Sequence, residues 1–291
     1  MNKKKLFFLL IFLLGAVFFV FNLKANNSLV RPQFLGVSKI FSKLENVVNE
    51  SLIGTKGTYA VVIKKMSSGE TFKLNANRAF EAASIYKLWV MGTVFEKIEK
   101  GEIKDSDVLS QEILVLNEKF NIDPELAERT EGGITLTVSS ALNQMITISH
   151  NYAALLLLEK VKTSQVQDFM KRYGLNNSAL GNPPTTTTSD TAFFLEKLYR
   201  GEIVSKNASE KMIELLKKQQ LNDGLPKLLP KEVHVGHKTG DLGYFKHDAG
   251  IVFSEKGDYI IVILSETNSP AGAQQRIAEL SKVVYEYFMK K

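Results

Sequence analysis

The stretch EVHVGHKTGDLGYFKHDAGIVFSEKGDYIIVILS, residues 232–265, holds three runs rich in β-branched and aromatic residues, with short polar segments between them. This pattern predicts strands over 232–239, 247–254 and 259–265, because such runs bounded by turn residues suit a pleated, half-buried surface. Residues 255–258 (EKGD) form the turn between the last two strands. The C-terminal part of the chain therefore predicts an antiparallel sheet.

Two more strands are predicted near the other end of the chain, over Thr58–Lys65 and Glu70–Leu74, joined by the hairpin turn Ser67-Ser68-Gly69. Periodic apolar residues predict helices in the remaining segments, over 38–48, 84–100, 136–148, 151–162, 190–199, 209–219 and 271–289. The predicted fold has two lobes, one α/β and one all-α. An antiparallel sheet built from both termini is flanked by helices, with a helical lobe inserted. A ligand cleft is expected where the lobes meet.

The N-terminal residues 1–25 differ from the rest of the chain. Lys3, Lys4 and Lys5 precede an apolar run over 6–21, which is typical of an export signal. The pattern leaves open whether the segment is a cleaved signal peptide or an uncleaved anchor that holds the protein at the membrane through residues 6–21. A polar linker follows over 26–37, and one domain is predicted over 38–291. We expect an extracytoplasmic location, periplasmic or at the cell surface, in either a secreted or an anchored form.

The composition excludes several classes of function. The net charge of the chain is +6, and residues 1–25 supply +4 of it, because they contain four lysines and no acidic residue. The rest of the chain therefore carries only +2, which is too little to indicate a nucleic-acid partner. The chain has no cysteine, which excludes disulfides and thiolate chemistry. His234 and His237 lie three residues apart on a predicted strand and point to opposite faces. The sequence therefore predicts no metal site and no cofactor, and we expect a monomer.

Ser84-Ile85-Tyr86-Lys87 is the first of three short motifs that could carry chemistry. Residues three apart near a helix start lie on the same face. A serine hydroxyl needs a base to become a good nucleophile, and a lysine whose pKa is lowered can serve as that base. The motif predicts a Ser84–Lys87 nucleophile pair; a solvent-facing lysine at a helix start is the alternative reading.

Ser149-His150-Asn151 and Lys238-Thr239-Gly240 are the second and third motifs. The former lies between two predicted helices, where Ser149 could relay a proton; helix capping is the alternative. The latter ends a predicted strand, and Gly240 would let a substrate backbone approach closely. Ser205-Lys206-Asn207 has the same Ser-x-Asn form as the second motif, but it follows a helix stop and is interpreted as a cap and loop.

The ordered set of motifs matches the pattern of serine β-lactamases and penicillin-binding proteins. Over residues 45–290 the chain resembles a class A β-lactamase-like catalytic domain. Further local matches are Ala82-Ala83-Ser84, Tyr199-Arg200-Gly201 and His247-Asp248-Ala249-Gly250. The resemblance implies a serine hydrolase or acyl-transfer enzyme of the penicillin-recognising type, with the site between an α/β lobe and an all-α lobe.

The resemblance also implies roles for individual residues. Ser84 would form the acyl-enzyme, Lys87 would take its proton, and Ser149 would relay a proton to the leaving nitrogen. Asn151 would bind the amide of the substrate side chain. The backbone N–H groups of Ser84 and Asp241 would form the oxyanion hole.

The substrate carboxylate would be held by Lys238 and Thr239, with help from Lys246. The implied substrate is a small molecule, either a β-lactam or a peptidoglycan stem peptide.

Two departures from the class A pattern affect the predicted activity. His150 stands where an aspartate is usual. More seriously, the stretch 172–189 (RYGLNNSALGNPPTTTTS) has no carboxylate, whereas class A enzymes activate the deacylating water with a glutamate there. The nearest acid, Asp190, is interpreted as a helix cap. Losing a general base costs about 10²–10⁴-fold in rate, so we expect acylation followed by slow deacylation.

Three functions therefore remain open at the level of sequence. The first is a β-lactamase-like hydrolase, and the second is a peptidoglycan D-alanyl carboxypeptidase or a related amidase or esterase. The third is a non-hydrolysing sensor domain that binds penicillin or peptidoglycan. The missing acid in the loop favours the second and third, and the family resemblance favours the first.

Overall fold

The structure, a computed structural model, describes residues 43–290. The predicted export segment and linker, residues 1–37, lie outside the described residues, as does the start of the helix predicted over 38–48. Within residues 43–290, no helix has the length and apolar character needed to cross a membrane.

The strands in chain order are β1 Thr58–Lys65, β2 Thr71–Leu74, β3 Phe80–Glu81, β4 Val108–Glu112, β5 Gly133–Thr137, β6 Thr185–Thr186, β7 His234–Leu242, β8 Phe245–Phe253 and β9 Tyr259–Glu266. The α-helices are α1 Lys43–Ser51, α2 Lys87–Glu99, α3 Ile113–Lys119, α4 Val138–Thr147, α5 Asn151–Val161, α6 Thr163–Arg172, α7 Thr188–Tyr199, α8 Lys206–Lys217 and α9 Pro270–Met289. A short 3-10 helix, Ala83–Tyr86, precedes α2.

Five strands form one antiparallel sheet in the order β2-β1-β9-β8-β7. The N-terminal hairpin thus lies beside the last strand of the chain, with Val62 opposite Val262. This confirms the predicted sheet built from both termini. It also makes β7 an edge strand, which leaves one side of its backbone unpaired within the sheet.

Both faces of the sheet are covered, because successive side chains of a strand point to opposite sides. On β1, Val61 and Ile63 are buried in a cluster with residues of α1 and α9. Ala60 and Val62 are buried in the other cluster, which continues into the helical lobe. The sheet is therefore a rigid layer between the terminal helices and the inserted helices.

Two of the observed elements differ from the predicted ones for clear physical reasons. The helix predicted from Ser84 begins as an α-helix only at Lys87, because residues 83–86 adopt the tighter 3-10 form. The exposed hairpin of β4 and β5 was missed, because it contributes few buried residues to an alternating pattern.

The prediction that Asp190 caps a helix is wrong. The hydroxyl of Thr187 caps α7 by accepting a hydrogen bond from the backbone N–H of Asp190. The buried Asp190 carboxylate accepts bonds from the backbone and side chain of Asn177 and from the Ser178 hydroxyl, at 2.7, 3.2 and 2.9 Å. Asp190 therefore fixes the loop before α7. By contrast, Ser205 does cap α8, as predicted.

Candidate active site

Ser84 lies in the 3-10 turn that joins the short strand β3 to helix α2. The turn is tied to a neighbouring loop, because the N–H of Ala82 donates to the Pro184 carbonyl at 2.7 Å. Ala83, just before the serine, has φ of 44°, a conformation that non-glycine residues rarely adopt. Since residues i and i+3 eclipse in a 3-10 helix, Ser84 and Lys87 are placed on the same side of this turn.

The Lys87 side chain is fully buried at the start of α2. Its Nζ donates to the Ser149 carbonyl at 2.5 Å, to the Ser149 hydroxyl at 3.1 Å and to Asn151 Oδ1 at 2.6 Å. The first and second predicted motifs therefore meet, although they lie more than sixty residues apart. Among the residues that the structure describes, no hydrogen bond joins Lys87 to the Ser84 hydroxyl.

Lys238 brings the third motif to the same point. Its fully buried Nζ donates to the Ser149 hydroxyl and to the Thr239 carbonyl, each at 2.9 Å. A hydroxyl oxygen accepts two hydrogen bonds, so these contacts with Lys87 and Lys238 leave the Ser149 proton free to point into the cleft. Ser149 itself has φ of 58°, a strained conformation of the kind that often marks functional sites.

The burial of the two lysines changes their acid–base chemistry. Burial and the neighbouring Lys238 hold the pKa of Lys87 well below its ordinary value, although Glu128 opposes the shift. Burial lowers the pKa of Lys238 to about 7, with the Asp248 carboxylate opposing it. Lys87 is therefore suited to act as a neutral base, and Lys238 remains cationic up to about pH 7.

The carboxylate of Glu128 fixes the orientation of the Asn151 amide. Because a carboxylate only accepts hydrogen bonds, the amide nitrogen donates to Glu128 Oε1 at 2.5 Å, and the amide oxygen accepts from Lys87 at 2.6 Å. Glu128 is not among the residues predicted from the sequence, because a glutamate in the exposed segment between α3 and β5 carries no local signal of a function.

The edge strand β7 carries the remaining predicted residues. Lys246 on β8 forms an ion pair with Asp241, so its side chain is engaged within the sheet rather than with the other predicted groups. A Cβ atom at Gly240 would lie 3.1 Å from His247 and 3.2 Å from Ile85. The small residue thus permits β7 to pack against the 3-10 turn that carries Ser84; the approach of a substrate backbone remains a prediction.

A buried polar network behind Lys238 was also missed. His237 Nδ1 lies 2.8 Å from Asp248 Oδ1, and its Nε2 lies 3.0 Å from Asn222 Oδ1. Asp248 Oδ2 accepts from the N–H of Leu225 at 2.8 Å. His237 is a strand residue beside Lys238, as predicted. Within residues 43–290, no group of three or more histidine and acidic side chains is placed to hold a metal ion.

The model of the beta-lactamase enzyme family matches residues 40–288 of the chain. The chain belongs to the beta-lactamase enzyme family. Membership of this family makes the protein a serine β-lactamase-like hydrolase. A search of curated proteins finds no match.

Solved structures share this fold. PBP-A has a TM-score of 0.74 and 23% identity, with 85% of this chain and 96% of that chain covered. A β-lactamase from Sphaerobacter thermophilus has a TM-score of 0.75 and 23% identity, and the match covers 85% of this chain and 97% of that chain. The TLA-1 extended-spectrum β-lactamase has a TM-score of 0.72 and 22% identity, and the match covers 85% of this chain and 98% of that chain.

The unusual His150 of this β-lactamase-family chain has a structural role. Its Nδ1 accepts a hydrogen bond from the N–H of Ala153 at 3.1 Å and so caps helix α5. Burial lowers the pKa of His150, together with Lys87 and Arg129 and against Glu128, which favours the neutral ring that such a cap needs. Helix capping, the alternative interpretation of the Ser149-His150-Asn151 motif, is therefore the role of His150. Neither Ser149 nor Asn151 caps the helix.

The loop between α6 and α7 is where the class A resemblance implies a catalytic glutamate. Its residues Leu180, Gly181, Asn182 and Pro184 line a cavity of about 700 Å³ in the cleft, beside Asn151. None of these side chains is a carboxylate. Two carboxylates from other segments, Glu128 and Asp241, line this cavity. Each is engaged with a neighbour, Glu128 with Asn151 and Asp241 with Lys246.

Proposed function

We propose that the protein is an extracytoplasmic serine hydrolase that opens β-lactam rings through an acyl-enzyme on Ser84 and releases the product slowly. The observation that carries this proposal is that two buried lysines, Lys87 and Lys238, both donate to Ser149 beside the turn that carries Ser84. The family to which the chain belongs supports the serine chemistry.

In the acylation step, neutral Lys87 takes the proton of the Ser84 hydroxyl. The Ser84 oxygen then forms a bond to the lactam carbonyl carbon, and the carbon–nitrogen bond of the ring breaks. A deprotonated amine keeps two N–H donors, enough for its short bonds to the Ser149 carbonyl and Asn151. The longer contact to the Ser149 hydroxyl is then given up, so the nitrogen lone pair is left for the Ser84 proton.

Ser149 is placed to complete the proton transfer. Its hydroxyl receives a proton from Lys87 while it gives its own to the leaving ring nitrogen, so the lysine returns to its neutral form. Lys238 would hold the substrate carboxylate close to this hydroxyl as a buried cation, which makes charge–charge attraction stronger than in water.

Slow release follows from the environment of the acyl-enzyme. Hydrolysis of the ester needs a base to activate water, and the loop over 172–189 has no carboxylate. Glu128 holds the Asn151 amide and Asp241 pairs with Lys246, and in this proposal neither serves as the base. The absence of a positioned base predicts hydrolysis about 10²–10⁴-fold slower than with one.

The central experiment incubates the full chain with a fluorescent penicillin and follows its intact mass over time, with a chromogenic cephalosporin assayed in parallel. We expect a labelled protein that forms quickly and persists, with slow turnover of the cephalosporin. Ser84→Ala should abolish labelling. Ser68→Ala, in the exposed β1–β2 turn, is the matched control and should label normally. Fast steady turnover would contradict slow release, and no labelling would contradict the proposed nucleophile.

The same site also suits peptides that end in a D-alanine carboxylate, and this is the second candidate substrate class. The missing loop acid favours it over a class A β-lactamase, although release of this acyl-enzyme would also require an activated water. The comparison is release of D-alanine from a D-alanyl-D-alanine peptide against hydrolysis of a β-lactam. Faster peptide turnover would favour the carboxypeptidase.

The extracytoplasmic location is supported by the basic residues and the apolar run at the N-terminus. A protease-accessibility experiment tests this location. Protease is added to cells whose outer layers have been made permeable while the cytoplasmic membrane stays intact. We expect the domain to be degraded, whereas a cytoplasmic control protein survives. Protection of the domain would contradict the proposed location.

A further inference from the structure

The cleft cavity extends from Asn151 along the surface of helix α5. Apolar side chains provide much of its wall, namely Phe120, Ile122, Leu126, Leu155, Leu158 and Leu180. Three charged side chains also line it, namely Glu128, which lies next to Asn151, and the ion-paired Lys119 and Asp241. The wall is therefore largely apolar, and among the described residues that line it Glu128 is the charged group without an ion-pair partner.

The charge of Glu128 is not neutralised by an ion pair within the described part of the chain, where no lysine or arginine lies within ion-pair distance of it. Nearby cations have other partners. Lys119 pairs with Glu159, and Arg129 points to the Gly133 carbonyl. The only side-chain partner of Glu128 in residues 43–290 is the neutral amide of Asn151.

Asn151 links Glu128 to the substrate. An asparagine nitrogen has two N–H groups, and Glu128 accepts from one of them. The second is left for the amide oxygen of a bound acyl side chain, which is the role proposed for Asn151. The carbon next to that amide then lies close to the Glu128 carboxylate, since both flank the same nitrogen.

We propose that Glu128 determines specificity by reading the charge on the carbon next to the side-chain amide of the substrate. A protonated amine there is favoured, and a carboxylate is disfavoured. This inference rests on the proposed acylation of Ser84, and it identifies the acyl side chains that the site prefers.

Three penicillins test the inference, because they differ only in the group on that carbon. Penicillin G carries hydrogen, ampicillin an amine and carbenicillin a carboxylate. Second-order acylation rates are measured with the full chain at pH 6, where an α-amino group with a pKa of about 7.7 is mostly protonated. We compare each rate between the wild type and Glu128→Gln, so that the intrinsic reactivity of each penicillin cancels.

We expect Glu128→Gln to lower the ampicillin-to-carbenicillin rate ratio about tenfold, because an exposed ion pair contributes a factor of up to about five and acts in opposite directions for the two compounds. Glutamine retains an oxygen that can accept from Asn151, and the penicillin G rate serves as the reference for any change in the position of Asn151 or in the pKa of Lys87. The effect should shrink at 1 M salt, where the Debye length is about 3 Å.

Glu125→Gln is the matched control, since it removes one exposed negative charge from the same segment without lining the cavity. Its rate ratio should equal that of the wild type. An unchanged ratio in Glu128→Gln, with all three penicillins still acylating Ser84, would overturn this inference and leave the proposed function intact. Loss of acylation by every penicillin in the wild type would instead overturn the proposed function.

Discussion

The side-chain nitrogens of Lys87 and Lys238 both donate to the hydroxyl oxygen of Ser149, at 3.1 and 2.9 Å. Two cations held this close in a buried site repel each other, so the arrangement disfavours a charge on both. The pKa of Lys87 lies well below its ordinary value because of burial and of Lys238. The geometry therefore favours one neutral and one cationic lysine on either side of a single hydroxyl group, as the proposed roles of base and carboxylate anchor require.

Replacing the base tests this division directly. Lys87→Met removes the amine and retains an apolar side chain of similar length in the buried position. We expect acylation of Ser84 to slow by about 10²–10⁴-fold, the usual contribution of a general base. The measurement is the rate of fluorescent penicillin labelling, with Lys104→Met at an exposed position as the control. Labelling of Lys87→Met at the wild-type rate would exclude Lys87 as the base.

The pH dependence of acylation should report Lys238. Below about pH 7 this lysine is protonated and attracts the substrate carboxylate, and above that pH it becomes neutral. We therefore expect the second-order acylation rate to fall as the pH rises through about 7. It should also fall in acid, where Lys87 becomes protonated.

Lys238→Arg provides the control for this profile, because a guanidinium stays charged throughout the range. The altered fit of the larger side chain should lower its overall rate, but the decline of that rate in alkali should disappear. A wild-type rate that continues to rise up to pH 9 would show that the charge on Lys238 is not needed.

A carboxylate introduced into the loop between α6 and α7 should speed release of the acyl group. Asn182 is exposed and lines the cleft cavity. We expect Asn182→Glu to shorten the lifetime of the acyl-enzyme by about tenfold or more, short of the 10²–10⁴ of a well-positioned base. Intact mass measured over time gives the lifetime.

Asn182→Gln has nearly the same shape without the charge and should leave the lifetime unchanged. Equal shortening in both variants would mean that loop packing, and not a base, controls release. Glu128→Gln should not lengthen the lifetime, since Glu128 is bound to Asn151; a marked lengthening would identify Glu128 as the deacylating base.

Asp190 should be important for stability rather than for chemistry. Asp190→Ala removes the carboxylate that accepts hydrogen bonds from the backbone and side chain of Asn177 and from the Ser178 hydroxyl. We expect the free energy of unfolding to fall by about 1.5–3 kcal/mol, the usual contribution of a hydrogen bond to a charged group. Urea unfolding measures it, and Asp168→Ala, exposed on α6, should have little effect. Equal stability of the two variants would contradict an anchoring role.

Much of the fold follows from local patterns in the sequence. The alternating and apolar runs predict β1 over Thr58–Lys65 with the observed limits, and β9 to within one residue. The exposed β4–β5 hairpin and the short β3–β6 pair were missed, because strands that bury few side chains leave a weak pattern. The short motifs also contain the residues that meet at Ser149, namely Lys87 and Lys238. Each motif could be recognised because it places a reactive side chain at the start or end of a predicted helix or strand.

The sequence by itself determined which chemical groups are available: one Ser-x-x-Lys pair, one Lys-Thr-Gly strand end and a loop without a carboxylate. Only the tertiary structure decided that Lys87 and Lys238 share one hydroxyl, that Glu128 lies against Asn151 and that His150 caps a helix. The physical reason is that burial and charge–charge interaction depend on distances in space. Residues far apart in the chain set those distances, and no local pattern records them.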